Sequence, residues 1–172
     1  MTPEQALFLR DYILQGIEGE FTATKRVLAA IPEERADDYR PDPKSKTARE
    51  LAWHLVVSEV MFFDGVASGS FEGATEEPAN PTKNLAELVA YYETNFKAGL
   101  EKVKKLSGEQ LATVVPFFGV FNFPAVQYLS FLHNHSVHHR GQLSAYLRAM
   151  GSKVPAIYGP SGDEMWEMPA SA

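Results

Sequence analysis

The chain contains no cysteine. That excludes disulfides, thiolate-ligated zinc and any thiol nucleophile of its own, and it fits a reducing compartment. Long hydrophobic runs are missing as well. The apolar stretch at residues 114–121 is broken by Pro116 and Gly119. No stretch of about 18 uncharged apolar residues exists, so no membrane span is expected. The first residues, MTPEQALFLRDY, lack a basic segment followed by an apolar run, so no secretory signal is expected. The expected location is cytoplasmic. Positive charge is scarce: 16 Lys and Arg stand against 22 Asp and Glu, for a net charge of -6. Duplex binding calls for a basic face. Lys97, Lys102, Lys104 and Lys105 are the only Lys-rich cluster, with Glu101 inside it, and on a helix they spread over a solvated surface. Neither a nucleic acid nor a membrane is an expected partner.

Several catalytic signatures are absent too. There is no Gly-x-Ser-x-Gly elbow, no phosphate loop and no dinucleotide fingerprint. Ferritin-like di-iron sites use Glu-x-x-His motifs, and no Glu stands three residues before any of the five histidines.

What is present is enough apolar material for one full core. Hydrophobic residues make up 45% of 172, which suits a single domain over residues 1–172. Four segments carry helical periodicity. In residues 3–31, Leu7, Leu14, Ile17, Phe21, Leu28 and Ile31 recur at helical steps, and Pro32 ends the run. The second segment starts near Thr47, where Thr47 and Glu50 form a capping-box pattern. Leu51, His54, Leu55, Ser58, Met61, Phe62 and Gly65 make one face. Val56, Val57, Val60 and Phe63 make a second apolar face, so this helix is buried on more than one side. It is either the central helix of the monomer or shared with a dimer interface. A loop rich in Gly, Ser, Pro and acidic residues follows, at residues 68–81. The third helix spans about 84–106, with Leu85, Leu88, Val89, Tyr92, Phe96, Leu100 and Val103 inward. Residues 109–123 are mixed, and a hairpin or extended strands fit 114–121. Asn122 then caps a fourth helix, with Pro124 near its first turn, running to Met150 with Gly151 as the stop. The tail from Lys153 crosses the bundle, tied down by Tyr158 and Trp166. The expected fold is all-α: a four-helix bundle with a short irregular or β-hairpin insertion before the last helix.

Four of the five histidines lie in the run His133-Asn134-His135-Ser136-Val137-His138-His139. At about 100° per residue, the apolar stripe of the fourth helix is centred near His139, and His135 lies about 40° away inside it. His133 and His138 fall on the flanks, as rim or surface residues. Side chains at i and i+4 share a face, and two such imidazoles are able to converge on one ion. The residue after the first is Ser136 rather than Glu, so this is not the zincin motif. His54, mid-stripe on the second helix, is the remaining source of a third ligand. Singly, each is more simply a satisfied core residue; together His54, His135 and His139 make an open, catalytic-type metal site. His138 is the substitute if the helical phase is one step off. Glu50 suits an outer carboxylate orienting an imidazole, though a solvated first-turn role is the simpler one. No catalytic residue is assigned.

The stretch His135-Ser136-Val137-His138-His139-Arg140-Gly141-Gln142-Leu143, then Tyr146-Leu147-Arg148, Gly151, Val154-Pro155 and Tyr158-Gly159, resembles the DinB family. So does Glu50-Leu51-Ala52-Trp53-His54. The resemblance implies a four-helix bundle, commonly a homodimer. It implies a metal triad at His54, His135 and His139, holding one divalent ion per chain: zinc or nickel first, iron or manganese next. It also implies thiol-dependent transferase or isomerase chemistry with a low-molecular-weight thiol and a small electrophilic substrate, with hydrolase chemistry beside it. Arg140 is expected to hold a helix end or a carboxylate, Gly141 to admit a neighbouring helix, and Gln142 to hydrogen-bond a ligand or the backbone. The expected pocket lies between the second and fourth helices, with Trp53, Tyr128 and Phe131 as lining. The alternative is a non-catalytic metal-binding, stress-response or dimeric interaction protein.

Overall fold

A computed structural model describes residues 1–74 and 76–165. Trp166, expected to help tie the tail, lies outside the described residues. Helix α1 spans Pro3–Ala29, α2 Ala48–Ser68, α3 Leu85–Lys104, the short α4 Gly108–Ala112 and α5 Gln127–Ala149. Strands β1 (Val114–Phe117) and β2 (Phe121–Pro124) form an antiparallel hairpin between α4 and α5. The four long helices pack in the cyclic order α1, α3, α2, α5.

Capping chemistry sets most helix starts. Thr2, Thr47 and Ser107 each accept from the N3 backbone N–H, and Gln5, Glu50 and Gln110 reach back to the cap. Asn84 caps α3 through the Glu87 N–H. The core is the apolar stripe of each helix turned inward: Leu14, Ile17 and Leu28 from α1, Leu55 and Phe63 from α2, Leu88 and Phe96 from α3, Leu129, Leu132 and Leu143 from α5. Helix α3 comes close to α2 at Gly99, where a Cβ would sit 2.4 Å from the Phe63 ring.

Helix α2 is buried on most of its circumference, including Ala52, Val56, Val57 and Glu59. It is long and apolar enough to cross a membrane, yet most of its apolar window is buried inside the bundle. The central-helix reading of its double apolar face therefore has a direct structural account.

The last helix starts later than Asn122. Residues 121–124 pair with 114–117 instead, and Pro124 faces Val114 at the strand end, where its missing N–H breaks no interior ladder. The Ala125 and Val126 N–H groups bond to the Thr113 and Leu111 carbonyls at 2.9 and 3.0 Å. The C-terminal end of α4 thus takes over the role of a side-chain cap, which α5 lacks. Phe118 and Gly119 at the hairpin tip both take left-handed backbone angles, with φ of 49° and 69°.

The tail is held at Tyr158. Its hydroxyl accepts from Arg140 and donates to Glu20 Oε1 at 3.0 Å. Arg26 also pairs with Glu164 and donates to the Ala156 carbonyl.

Candidate metal centre

His54 projects from the second turn of α2, and His135 and His139 from successive turns of α5. These two helices are direct neighbours in the bundle. Each histidine is half-buried, and one ring nitrogen from each lies within 4.8 Å of the other two. The Nε2 atoms of His135 and His139 are 3.1 Å apart.

The ring orientations have identifiable causes. His54 Nδ1 lies 2.7 Å from the Glu77 carboxylate, so that nitrogen carries the proton and Nε2 keeps its lone pair. His139 Nδ1 lies 2.7 Å from Gln142 Oε1, which has the same effect. His135 Nδ1 is buried without a partner among the described residues. Burial first, then the neighbouring His139 and His54, hold the His135 imidazole down at about 3. His139 is lowered as well, chiefly by burial. Both are neutral at physiological pH, the form that ligates metals. A neutral His135 either donates from Nε2–H to His139 Nε2 or, with its proton on Nδ1, turns a second lone pair toward the same point, where a cation would take the proton's place. This donor set suits a borderline divalent ion of the zinc or nickel type.

The remaining expectations divide. His138 is exposed and stands outside the triad, its ring 4.8 Å from that of His139. His133 is half-buried on the opposite side, its Nε2 3.9 Å from Glu20. Glu50 is spent on its capping box: it accepts from the Thr47 N–H at 2.7 Å. The outer carboxylate is Glu77, from the loop after α2, which sequence reasoning missed. No local pattern signals it, because a loop carboxylate reaches a helix only through tertiary placement. Trp53 sets that placement by donating from Nε1 to the Pro78 carbonyl at 2.7 Å. Lys46 pairs with the same Glu77 oxygen at 3.3 Å.

Gln142, expected to hydrogen-bond a ligand or the backbone, bonds to the His139 ring. Gly141 does not fulfil its own expectation: it is exposed, and nothing lies within 4 Å of where its Cβ would be. Arg140 is buried and holds one carboxylate, Glu20, while also donating to Thr24 Oγ1.

A cavity of about 790 Å³ opens beside the histidines. Its walls come from α2 (Val57, Val60, Met61, Phe62), the loop at Gly73, Ala74 and Glu76–Pro78, the hairpin (Phe117, Phe118, Phe121) and α5 (Phe131), with His54 and His135 at one side. Phe131 lines it as expected. Trp53 and Tyr128 do not: both are buried behind its walls. Tyr128 donates to the Val115 carbonyl at 2.7 Å and accepts from the Phe123 N–H, which fixes the hairpin that forms one wall.

On the far face of α2, Glu59 is buried beside Ser136, and its Oε2 has no partner among the described residues. Burial pushes its carboxyl up to about 7, against smaller opposing effects of Ser136 and Arg140. Sequence reasoning gave this residue no role.

A helical bundle with three histidines from two neighbouring helices, facing an open cavity, defines the class. The family model for the DinB family matches residues 5–168, and the chain belongs to that family. It is 28% identical over 158 residues to the uncharacterized protein YrdA of Bacillus subtilis, covering 90% of each chain. It is 26% identical over 147 residues to the uncharacterized protein YjoA of the same organism, covering 83% of this chain and 94% of the other. Two crystal structures share the fold. The DinB-like protein of Bacillus cereus ATCC 10987 has a TM-score of 0.71 at 28% identity, covering 85% of this chain and 95% of that one. The DinB-like protein YjoA has a TM-score of 0.70 at 21% identity, covering 84% and 96%.

Proposed function

We propose that His54, His135 and His139 hold one divalent metal ion, zinc or nickel first and iron or manganese next, and that the protein is a metalloenzyme of the thiol-dependent transferase or isomerase type. The observation that carries the reading is the convergence of three imidazoles, one ring nitrogen of each lying within 4.8 Å of the other two. Glu77 and Gln142 support it by fixing two ring orientations from outside, the usual arrangement around metal-ligating histidines. A divalent ion bound there supplies Lewis acidity, which lowers the pKa of a thiol brought to it. The chain has no cysteine, so the thiol is a cosubstrate of low molecular weight. The cavity beside the triad receives the electrophilic partner, and its apolar walls exclude water from it. A homodimer belongs to the same reading, supported by Phe8 and Tyr12, which stack on each other while exposed on α1.

Metal content by mass spectrometry, on untagged protein purified without chelator, tests the site. About one ion per chain is expected in the parent, with sharp loss in His54→Ala and His135→Ala. A parent that stays empty after dialysis against zinc or nickel overturns it. Thiol-dependent turnover of an electrophile, lost in His135→Ala, supports the enzyme reading. Metal-dependent melting without turnover supports the non-catalytic alternative instead.

A further inference from the structure

We propose that the cavity between α2, the hairpin and α5 selects an apolar, aromatic-sized ligand, and that its own side chains favour an uncharged or cationic one over a carboxylate. The inference rests on the metal-site reading only for where the ligand's reacting end would lie. Three observations carry it. First, the volume of about 790 Å³ falls within the range of small-molecule sites, and the surrounding side chains are mostly aromatic or aliphatic, a surface suited to rings and alkyl groups.

Second, the charge at the rim has one sign. Among the described residues lining the cavity, Glu76 and Glu77 are the only ones with charged side chains, and no Lys or Arg is present. The nearby cation Lys46 is already paired with Glu77. Among the protein's own side chains an anionic ligand would be desolvated against apolar walls with no cationic partner and would face Glu76; only a divalent ion at the histidines would attract it. A neutral ligand meets neither cost, and a cationic one is attracted to the rim.

Third, Phe118 lines the cavity from a strained backbone. Its φ of 49° lies in the left-handed region, which is uncommon for a bulky residue and normal for Gly or Asn. Local backbone preference therefore opposes Phe at this position. Its ring packs 4.2 Å, centroid to centroid, from that of Phe117, and the two reach the cavity together. Strain of this kind clusters at ligand-contacting positions, and a ligand contact supplies the reason for an aromatic side chain here.

The test uses three naphthalene probes of nearly equal shape: 2-naphthylmethanol, 2-naphthylmethylammonium and 2-naphthoate. Each is titrated calorimetrically into the full chain, both metal-loaded and chelator-treated. In the chelator-treated chain the alcohol and the ammonium are expected to bind at least tenfold more tightly than the carboxylate. Phe118→Gly should weaken the alcohol at least threefold while leaving Tm unchanged or higher, because the strain is removed. Phe131→Ala should weaken it as well. Equal or tighter binding of 2-naphthoate to the chelator-treated chain, no binding of any probe, or unchanged affinity in both variants overturns the proposal. A halved sedimentation mass in Phe118→Gly, with probe affinity unchanged, also overturns it and makes this face a contact between copies. Probe binding to chelator-treated protein that takes up no metal would leave the pocket standing and remove the metal reading; metal uptake without probe binding would do the reverse.

Discussion

Two ionisable side chains in this bundle pull stability in opposite directions as pH changes. Glu59 keeps its proton in the folded chain up to about 7, whereas its ordinary value is 4.5. Between those values the folded state binds more protons than the unfolded one, so stability falls as pH rises and is flat above the window. The full effect is about 3 kcal/mol. His135 works the other way, from its ordinary 6.5 down to about 3: its contribution is present above 6.5 and lost as pH falls. Denaturant titrations of chelator-treated parent and Glu59→Gln, at pH 5 and pH 8, separate the two. The variant is expected to be the more stable at pH 8 and nearly equal at pH 5; parallel curves would sink this account. Glu77 gives a second residue-scale prediction. Its carboxylate orients the His54 ring from outside the triad. Glu77→Ala should lower metal affinity by about 10- to 100-fold, measured by competition with a chromophoric chelator, without unfolding the protein, since the side chain sits on a loop.

Among the elements, the α2–α3 contact is the tightest test of packing. Alanine is a better helix former than glycine by about 1 kcal/mol. At Gly99 the added methyl would nonetheless press on Phe63, at 2.4 Å from its ring, and Phe63 is fully buried. Overpacking of this kind costs about 1–3 kcal/mol. Gly99→Ala should therefore be destabilising despite its helix propensity, by up to about 2 kcal/mol once the propensity gain is set against the overpacking, read as a shift of the urea midpoint. A stabilised variant would mean that the helices part easily there. The hairpin teaches a complementary lesson about legibility. Residues 114–121 are rich in Val and Phe, so extended structure was readable. The helix start was misplaced because Asn122 followed by Pro124 has the form of a cap and first turn. Pairing with β1 and the free carbonyls of α4 compete for the same backbone, and they win.

At the scale of the molecule, His54 on α2 joins His135 and His139 on α5, two helices separated by α3, α4 and the hairpin in sequence. An ion held by all three would bind the folded chain and not the unfolded one. At a free concentration about 100 times Kd this stabilises the fold by about 3 kcal/mol, raising Tm by about 5–10 °C for a chain of this size. Melting with and without zinc or nickel checks this, and His139→Ala should abolish the difference. A metal effect that persists in that variant would place the ion elsewhere.

The sequence by itself determined the helical segments, most of their caps and the three histidines. These are local properties: a period of 3.6, a Thr followed three residues later by Glu, and two histidines one turn apart all act within a few residues of chain. Helical phase alone turned His135 and His139 inward and His138 outward, as the structure has them. The tertiary structure decided what stands behind and beside the triad. Glu77 reaches His54 across a loop pinned by Trp53, Glu59 is left buried near Ser136, and the hairpin phenylalanines close a cavity over α2. Gly141, expected at a helix contact, faces outward, because helix phase constrains direction but not which neighbour arrives. Such contacts join residues far apart in the chain, and no local periodicity encodes the distance between them.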